Sequence, residues 1–251
     1  MKPISVQLYS VREQAERDFV GVLKKIAAIG YQGVEPAGLF NLKPKEFRKI
    51  VEDLGMTISS SHGPWAKPDN LAEVVDTCNI LGLDLAATGF GPEDFKDLEA
   101  IKRTAAIVSG MAETLAKHDL SIFLHNHYWE FAKVDGRIAY EIFAELCPKA
   151  TFELDVYWAA NFGANNPAAQ VANFKKRVPL LHIKDGPLTK DGAMTAVGAG
   201  KVDIPACVKA ADEKVLRWLI VELDRCDTDM FAAVEQSYKY LVATGLGFGT
   251  K

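Results

Sequence analysis

Four of the chain's five histidines stand beside carboxylates in short β-rich runs. Gly33-Val34-Glu35 ends one run, and Ser59-Ser60-Ser61-His62-Gly63 ends the next. Further on come Phe123-Leu124-His125-Asn126-His127, with Glu130 close behind, and Phe152-Glu153-Leu154-Asp155. Leu181-His182-Ile183-Lys184-Asp185 and Ile220-Val221-Glu222-Leu223-Asp224 complete the set. Acids and imidazoles brought to one place are costly unless something neutralises them, and a divalent cation does so. Mixed carboxylate and imidazole ligation suits Mn²⁺, Mg²⁺, Co²⁺ or Zn²⁺, and the lack of thiolates speaks against a structural zinc site. The oxygen-rich set favours Mn²⁺.

Asp155, His182 and Glu222 are the expected ligands, each with a plainer alternative. Asp155 could instead pair with Lys184 or Arg177, His182 could be a hydrogen-bonded core histidine, and Glu222 could cap the loop that follows. In the fifth run two residues compete. His125 stands at the strand end, whereas Glu130 must fold back to reach an ion; Glu130 is favoured as ligand, with His125 its replacement or a catalytic group. His62, His127 and Glu35 are expected to contact substrate or surround the ligands, against the alternative of loop-stabilising hydrogen bonds. Trp65, Trp129 and Trp158 fall in loops nearby, where an aromatic face could pack on a sugar ring or simply on the core. His118, late on a helical segment, is left out.

These residues need a scaffold that gathers strand ends. Candidate strands begin near Ile4, Tyr31, Thr57, Leu83, Ser121, Thr151, Pro179 and Trp218, at the spacing of βα units. Between them, residues 19–29 place Phe19, Val22, Leu23, Ile26 and Ile29 on one face, with Gly30 as a stop. Residues 45–54 repeat the pattern through Phe47, Ile50, Val51 and Leu54, and Asp97 to Lys117 reads as the longest helix. Eight alternations without hairpin signals predict a (β/α)8 TIM barrel, a single domain over residues 1–251. No Gly-x-Gly-x-x-Gly follows the first strand, which weighs against a dinucleotide fold. In such a barrel the site lies at the C-terminal ends of the strands, where these acids and histidines stand. Val197-Gly198-Ala199-Gly200-Lys201 lacks the spacing of a phosphate loop and reads as a tight turn.

Composition narrows the partners. Twenty-nine basic residues against 33 acidic ones give a net charge of -4, which offers no support for nucleic-acid binding. No signal peptide and no membrane span is visible, and Cys78, Cys147, Cys207 and Cys226 are widely spaced, as free thiols would be. A cytoplasmic protein with a small-molecule partner is expected, and a homo-oligomer is compatible with it.

Together these motifs resemble the xylose isomerase-like superfamily of sugar phosphate isomerases and epimerases, along essentially the whole chain. Gln7-Leu8-Tyr9-Ser10-Val11-Arg12, Ile29 to Glu35, His125 to Phe131, Leu154 to Trp158, His182 to Asp185 and Val221 to Asp224 carry the likeness. The resemblance implies one divalent metal held by a Glu, an Asp, a His and a second Glu, with Asp155, His182 and Glu222 in three of those places. Many relatives have Glu-Asn-His where this chain has His125-Asn126-His127, which leaves the fourth ligand between Glu130 and His125. It also implies a keto-sugar or related polyol carbonyl substrate, isomerised or epimerised by proton abstraction through a metal-stabilised enediolate. Glu222, His125 and Lys184 would be catalytic, and Glu35, His62, His127 and Trp158 would bind substrate. A dehydratase or 3-keto-glycoside lyase would share that intermediate. A non-catalytic sugar-binding protein and an abasic-site endonuclease are weaker alternatives, the latter for want of enough metal-binding histidines.

Overall fold

The computed structural model describes residues 1–251. Eight parallel strands, β1 Lys2–Gln7, β2 Gly33–Glu35, β3 Thr57–Ile58, β4 Leu85–Thr88, β5 Ser121–His125, β6 Thr151–Asp155, β7 Leu180–Ile183 and β8 Trp218–Val221, curl into a barrel. The main helices outside them are α1 Arg12–Ile29, α2 Pro44–Asp53, α3 Leu71–Leu81, α4 Leu98–Ala116, α5 Ala139–Leu146, α6 Pro167–Phe174, α7 Ile204–Ala210 and α8 Met230–Ala243. The expected (β/α)8 TIM barrel is therefore the fold. No helix is long and apolar enough to cross a membrane.

Local sequence explains the boundaries. Within α1 the backbone breaks at Asp18, whose carboxylate accepts the Gly21 amide at 2.9 Å and caps the segment predicted from residue 19. Asp97 caps α4 in the same way through Ala100, and Asp229 caps α8 through Ala232. One hairpin was missed: Lys133–Val134 pairs with Arg137–Ile138 around Asp135–Gly136, both at positive φ, as a two-residue turn requires. It is an insertion between β5 and α5 and leaves the barrel unchanged.

Strand alternation decides what faces inward. Ile4, Val6, Ile122, Leu124, Phe152, Leu154, Leu181, Ile183, Leu219 and Val221 belong to the large core that includes the buried helix faces. The alternate residues Leu85, Ala87, Phe123, Leu180 and Ile220 form a separate small cluster inside the barrel, with Trp65 and Trp218 against it. Two residues further along the same strands come His125, His182 and Glu222, so period two carries them onto the same inner face above this plug. The register aligns them, with Asp155 opposite His182 and His182 opposite Ile220.

The ladder runs in the order β3-β2-β1-β8-β7-β6-β5-β4 and is open between β3 and β4. There the chain after β3 bridges the seam, the Ala66 amide donating to the Ala87 carbonyl at 2.8 Å.

Candidate active site

Two polar clusters lie one above the other at the C-terminal end of the barrel and share His182. In the deeper one, His182 Nε2 is 2.7 Å from Glu35 Oε1, which also accepts from Gln7 Nε2 at 2.6 Å. Ser60 donates to the other Glu35 oxygen, and His62 Nε2 pairs with Glu153 Oε2. Glu35, Glu153 and His182 are fully buried. Burial raises the Glu35 carboxyl, with the Glu153 charge adding to it. Burial would raise Glu153 as well, but His182 and His62 outweigh it and hold that carboxyl low.

The upper cluster is built differently. His125 Nε2, Asp155 Oδ2, His182 Nδ1 and Glu222 Oε2 lie within 4.8 Å of one another. All four are buried; His182 Nδ1 lies 2.8 Å from Glu222 Oε2, while His125 Nε2 comes no nearer than 3.7 Å to Asp155 Oδ2 and has no hydrogen-bond partner. Lys184 Nζ supplies charge from one side, at 2.8 Å from Glu222 Oε2, 3.1 Å from Asp155 Oδ2 and 2.9 Å from Asp224 Oδ1. Burial opposes the Lys184 charge, yet Asp155, Asp224 and Glu222 together hold the ammonium well above its usual range. Burial pulls His125 well below the usual imidazole value, reinforced by His182 and His62, so its ring is neutral. Glu153, Glu35 and Glu222 hold His182 well above the usual imidazole value against its burial, so without an ion Lys184 and His182 balance the two carboxylates. A divalent cation could take that place, with the neutral His125 ring offering a free lone pair.

The structure brings together most of the predicted residues and places three of them away from the converging atoms or the cavity. Glu130 is not among the converging atoms: its loop turns so that Glu130 Oε2 accepts the His127 amide at 2.9 Å, and His125 occupies the fifth-strand place instead. Glu35, expected against substrate or around the ligands, is sealed beneath His182 and braces its ring. Trp158 does not line the cavity above the cluster; it packs against Tyr128 and Phe162, with Lys184 Nζ 5.6 Å from its ring centroid. The plainer reading of Asp155 also holds in part, since it pairs with Lys184. Arg177 instead donates to the carbonyls of Ala144, Cys147 and Ala150.

That cavity has a volume of about 680 Å³ and is lined by His62, His125, His127, Lys184, Glu222 and Asp224 among others. Asp224 and Glu153 were quoted in the motifs but given no role, although each lies two residues from a predicted ligand and so on the same strand face. Asp185 receives the amides of Gly186, Gly198, Gly200 and Val202 at 2.8–3.0 Å and fixes the tight turn after β7.

The chain matches the xylose isomerase-like TIM barrel family over residues 23–243. It is similar to a sugar phosphate isomerase/epimerase from Parabacteroides distasonis ATCC 8503, with 26% identity and a TM-score of 0.81 over 100% of this chain and 96% of that one. An L-ribulose 3-epimerase is similar at 16% identity and a TM-score of 0.70, over 98% of this chain and 95% of that one. A probable 3-DHS dehydratase involved in petrobactin synthesis in Bacillus anthracis gives 13% and 0.73, over 96% of this chain and 99% of that one. The last two likenesses concern the fold alone. No curated protein sequence matches the chain.

Proposed function

The chain belongs to the xylose isomerase-like TIM barrel family, and from that premise we propose that it is a divalent-metal-dependent enzyme that isomerises or epimerises a keto-sugar or related polyol carbonyl compound. One observation carries the reading. Four buried residues, His125, Asp155, His182 and Glu222, each offer a donor atom within 4.8 Å of the others beside a cavity of sugar-binding size. These four residues would hold the ion, His125 standing where Glu130 was expected. When bound, a divalent ion polarises a substrate carbonyl and acidifies the neighbouring C–H bond. Two nitrogens and two oxygens suit Mn²⁺, Co²⁺ and Zn²⁺ and disfavour Mg²⁺, which prefers oxygen donors; we retain Mn²⁺ as the first choice.

The chain's own groups handle the proton. Glu222, which lines the cavity, serves as the base. His127, on the loop after β5, lines the same cavity from another wall. Burial, with His125 beside it, pulls its pKa down to about 3, so the ring is neutral at pH 7 and serves to hydrogen-bond a substrate hydroxyl rather than to carry the proton. Lys184 offsets negative charge developing on the substrate oxygens. Delivery of a second proton to the same carbon from a donor on the other face, with the first left on Glu222, epimerises; return of the first proton by Glu222 to the neighbouring carbon isomerises.

A second reading rests on Asp224. Burial raises its carboxyl, and it lines the cavity, so it can carry a proton to a departing oxygen. Loss of a β-hydroxyl would make a dehydratase, and loss of a glycosyl oxygen a 3-keto-glycoside lyase. Under either reading the partner is a small sugar and the compartment we propose is the cytoplasm, in keeping with four unpaired cysteines.

Elemental analysis of protein purified without chelator should show close to one metal ion per chain. Incubation with a keto-sugar panel in D₂O should place deuterium on the carbon beside the carbonyl. Glu222→Gln, once shown to retain metal, should suppress that exchange together with turnover. A substrate that turns over with this C–H bond intact would overturn proton abstraction.

A further inference from the structure

We propose that the site continues into a second ring-binding subsite, so that the substrate is a keto-sugar bearing a further pyranose ring in glycosidic linkage. This rests on the reading of the first cavity as a sugar site. Beside that cavity lies a second one of about 550 Å³, over the open seam between β3 and β4. Trp65 and His127 line both, so the two spaces meet at these rings. Cavities of roughly 300–1,000 Å³ hold drug-sized ligands, so the first alone has room for a single sugar and the second is extra length.

The walls of the second space are flat and fixed. His127 stacks on Trp129 with centroids 4.2 Å apart and planes 10° apart, making one rigid pair of rings where the first cavity meets the second. Trp129 Nε1 donates to the Phe90 carbonyl at 3.2 Å, which fixes the indole before any ligand arrives. Opposite, the Asn70 side chain donates to the Trp65 carbonyl at 3.0 Å. The Trp65 ring lies against Gly89, where a Cβ would come within 2.9 Å of the indole. Two preset aromatic faces with little rotamer freedom left to lose suit the apolar face of a sugar ring. The polar rim belongs to Asn70 and Lys67. Lys67 is exposed and is the sole cation among the lining residues, which fits hydroxyl groups better than a phosphate.

The test is calorimetric, on the metal-loaded protein, with unreactive probes. Methyl α- and β-glucoside report on the first cavity, and maltose, cellobiose, trehalose and sucrose on both. At least one disaccharide should bind about ten-fold or more tightly than either glucoside, the size of a stacked aromatic contact. Trp129→Ala should erase that advantage, and Trp129→Phe, which keeps a ring face and guards against misfolding, should keep most of it. Glucoside binding with no gain for any disaccharide overturns the second subsite alone. Failure of both classes to bind overturns the sugar site and this inference with it. A gain confined to p-nitrophenyl glucoside overturns the pyranose assignment in favour of a flat aglycone.

Discussion

The two clusters inside the barrel mouth are made of the same residue types and differ in how they are satisfied. In the deeper cluster Glu35 accepts from Gln7, Ser60 and His182, and Glu153 pairs with His62. In the upper one, donor atoms from the ends of β5, β6, β7 and β8 face one another, with Lys184 Nζ and His182 Nδ1 each 2.8 Å from Glu222 Oε2. Both groups have ligand atoms close enough to share an ion, but Gln7 and Ser60 close the deeper one, whereas His125 and Glu222 of the upper one line the cavity. His182 joins the layers. Its Nε2 side is committed to Glu35, which leaves Nδ1 directed at the upper cluster with a fixed orientation. Identical chemistry thus serves as brace below and as open site above.

The comparison is most directly broken by removing ligands from the upper cluster. Asp155→Ala and His182→Ala should each weaken metal binding by about two orders of magnitude or more, read by equilibrium dialysis and elemental analysis. Full metal retention by both would show that the upper cluster is simply a charge network closed by Lys184. Next in size comes a brace residue that touches no ion. Glu35→Gln keeps the shape but removes the charge behind His182, and should weaken metal binding by roughly 10–100-fold. A merely structural role would be expressed as a lower melting temperature with unchanged affinity in the folded protein. The Co²⁺-substituted protein gives a second readout, since a changed imidazole donor should shift its visible absorption.

Much of this was legible beforehand because period two and period 3.6 are written directly in the residues. Five predicted strand starts, Thr57, Ser121, Thr151, Trp218 and Pro179, fall on or beside the observed ones, and the polar ends of those strands are the site. Tyr31 and Leu83 preceded the true starts of β2 and β4 by two residues, because their buried side chains continue the apolar run before the ladder begins. What sequence could not convey was depth along the barrel axis. Glu35 and Glu222 both end strands, yet one is sealed under His182 and the other lines the cavity. Nor could it show the course of a loop. Glu130 is near enough in sequence to reach an ion, but the turn through Tyr128 and Trp129 commits its oxygen to the His127 amide.

Glu130 therefore gives the smallest expected effect on metal, and the sharpest division between brace and site. It is fully buried, Oε2 is held by the His127 amide, Oε1 has no partner, and burial pushes its carboxyl up to about 8. The folded chain thus prefers the protonated acid, whereas the unfolded chain ionises it near its ordinary value of about 4.5. The stability this group lends the fold is complete below about pH 4.5 and is lost as pH rises through about 8. Glutamine is neutral at every pH and retains an oxygen for the His127 amide. In chelator-treated protein, Glu130→Gln should melt close to the parent at pH 5 and about 5 °C or more above it at pH 9. Its metal affinity should change by less than about three-fold, while His125→Gln loses ten-fold or more. The reverse order of metal loss would mean that the loop after β5 swings in to ligate through Glu130. An unchanged melting difference between pH 5 and 9 would mean that the buried carboxyl is ionised and paired in the folded protein, and so belongs with the braced layer.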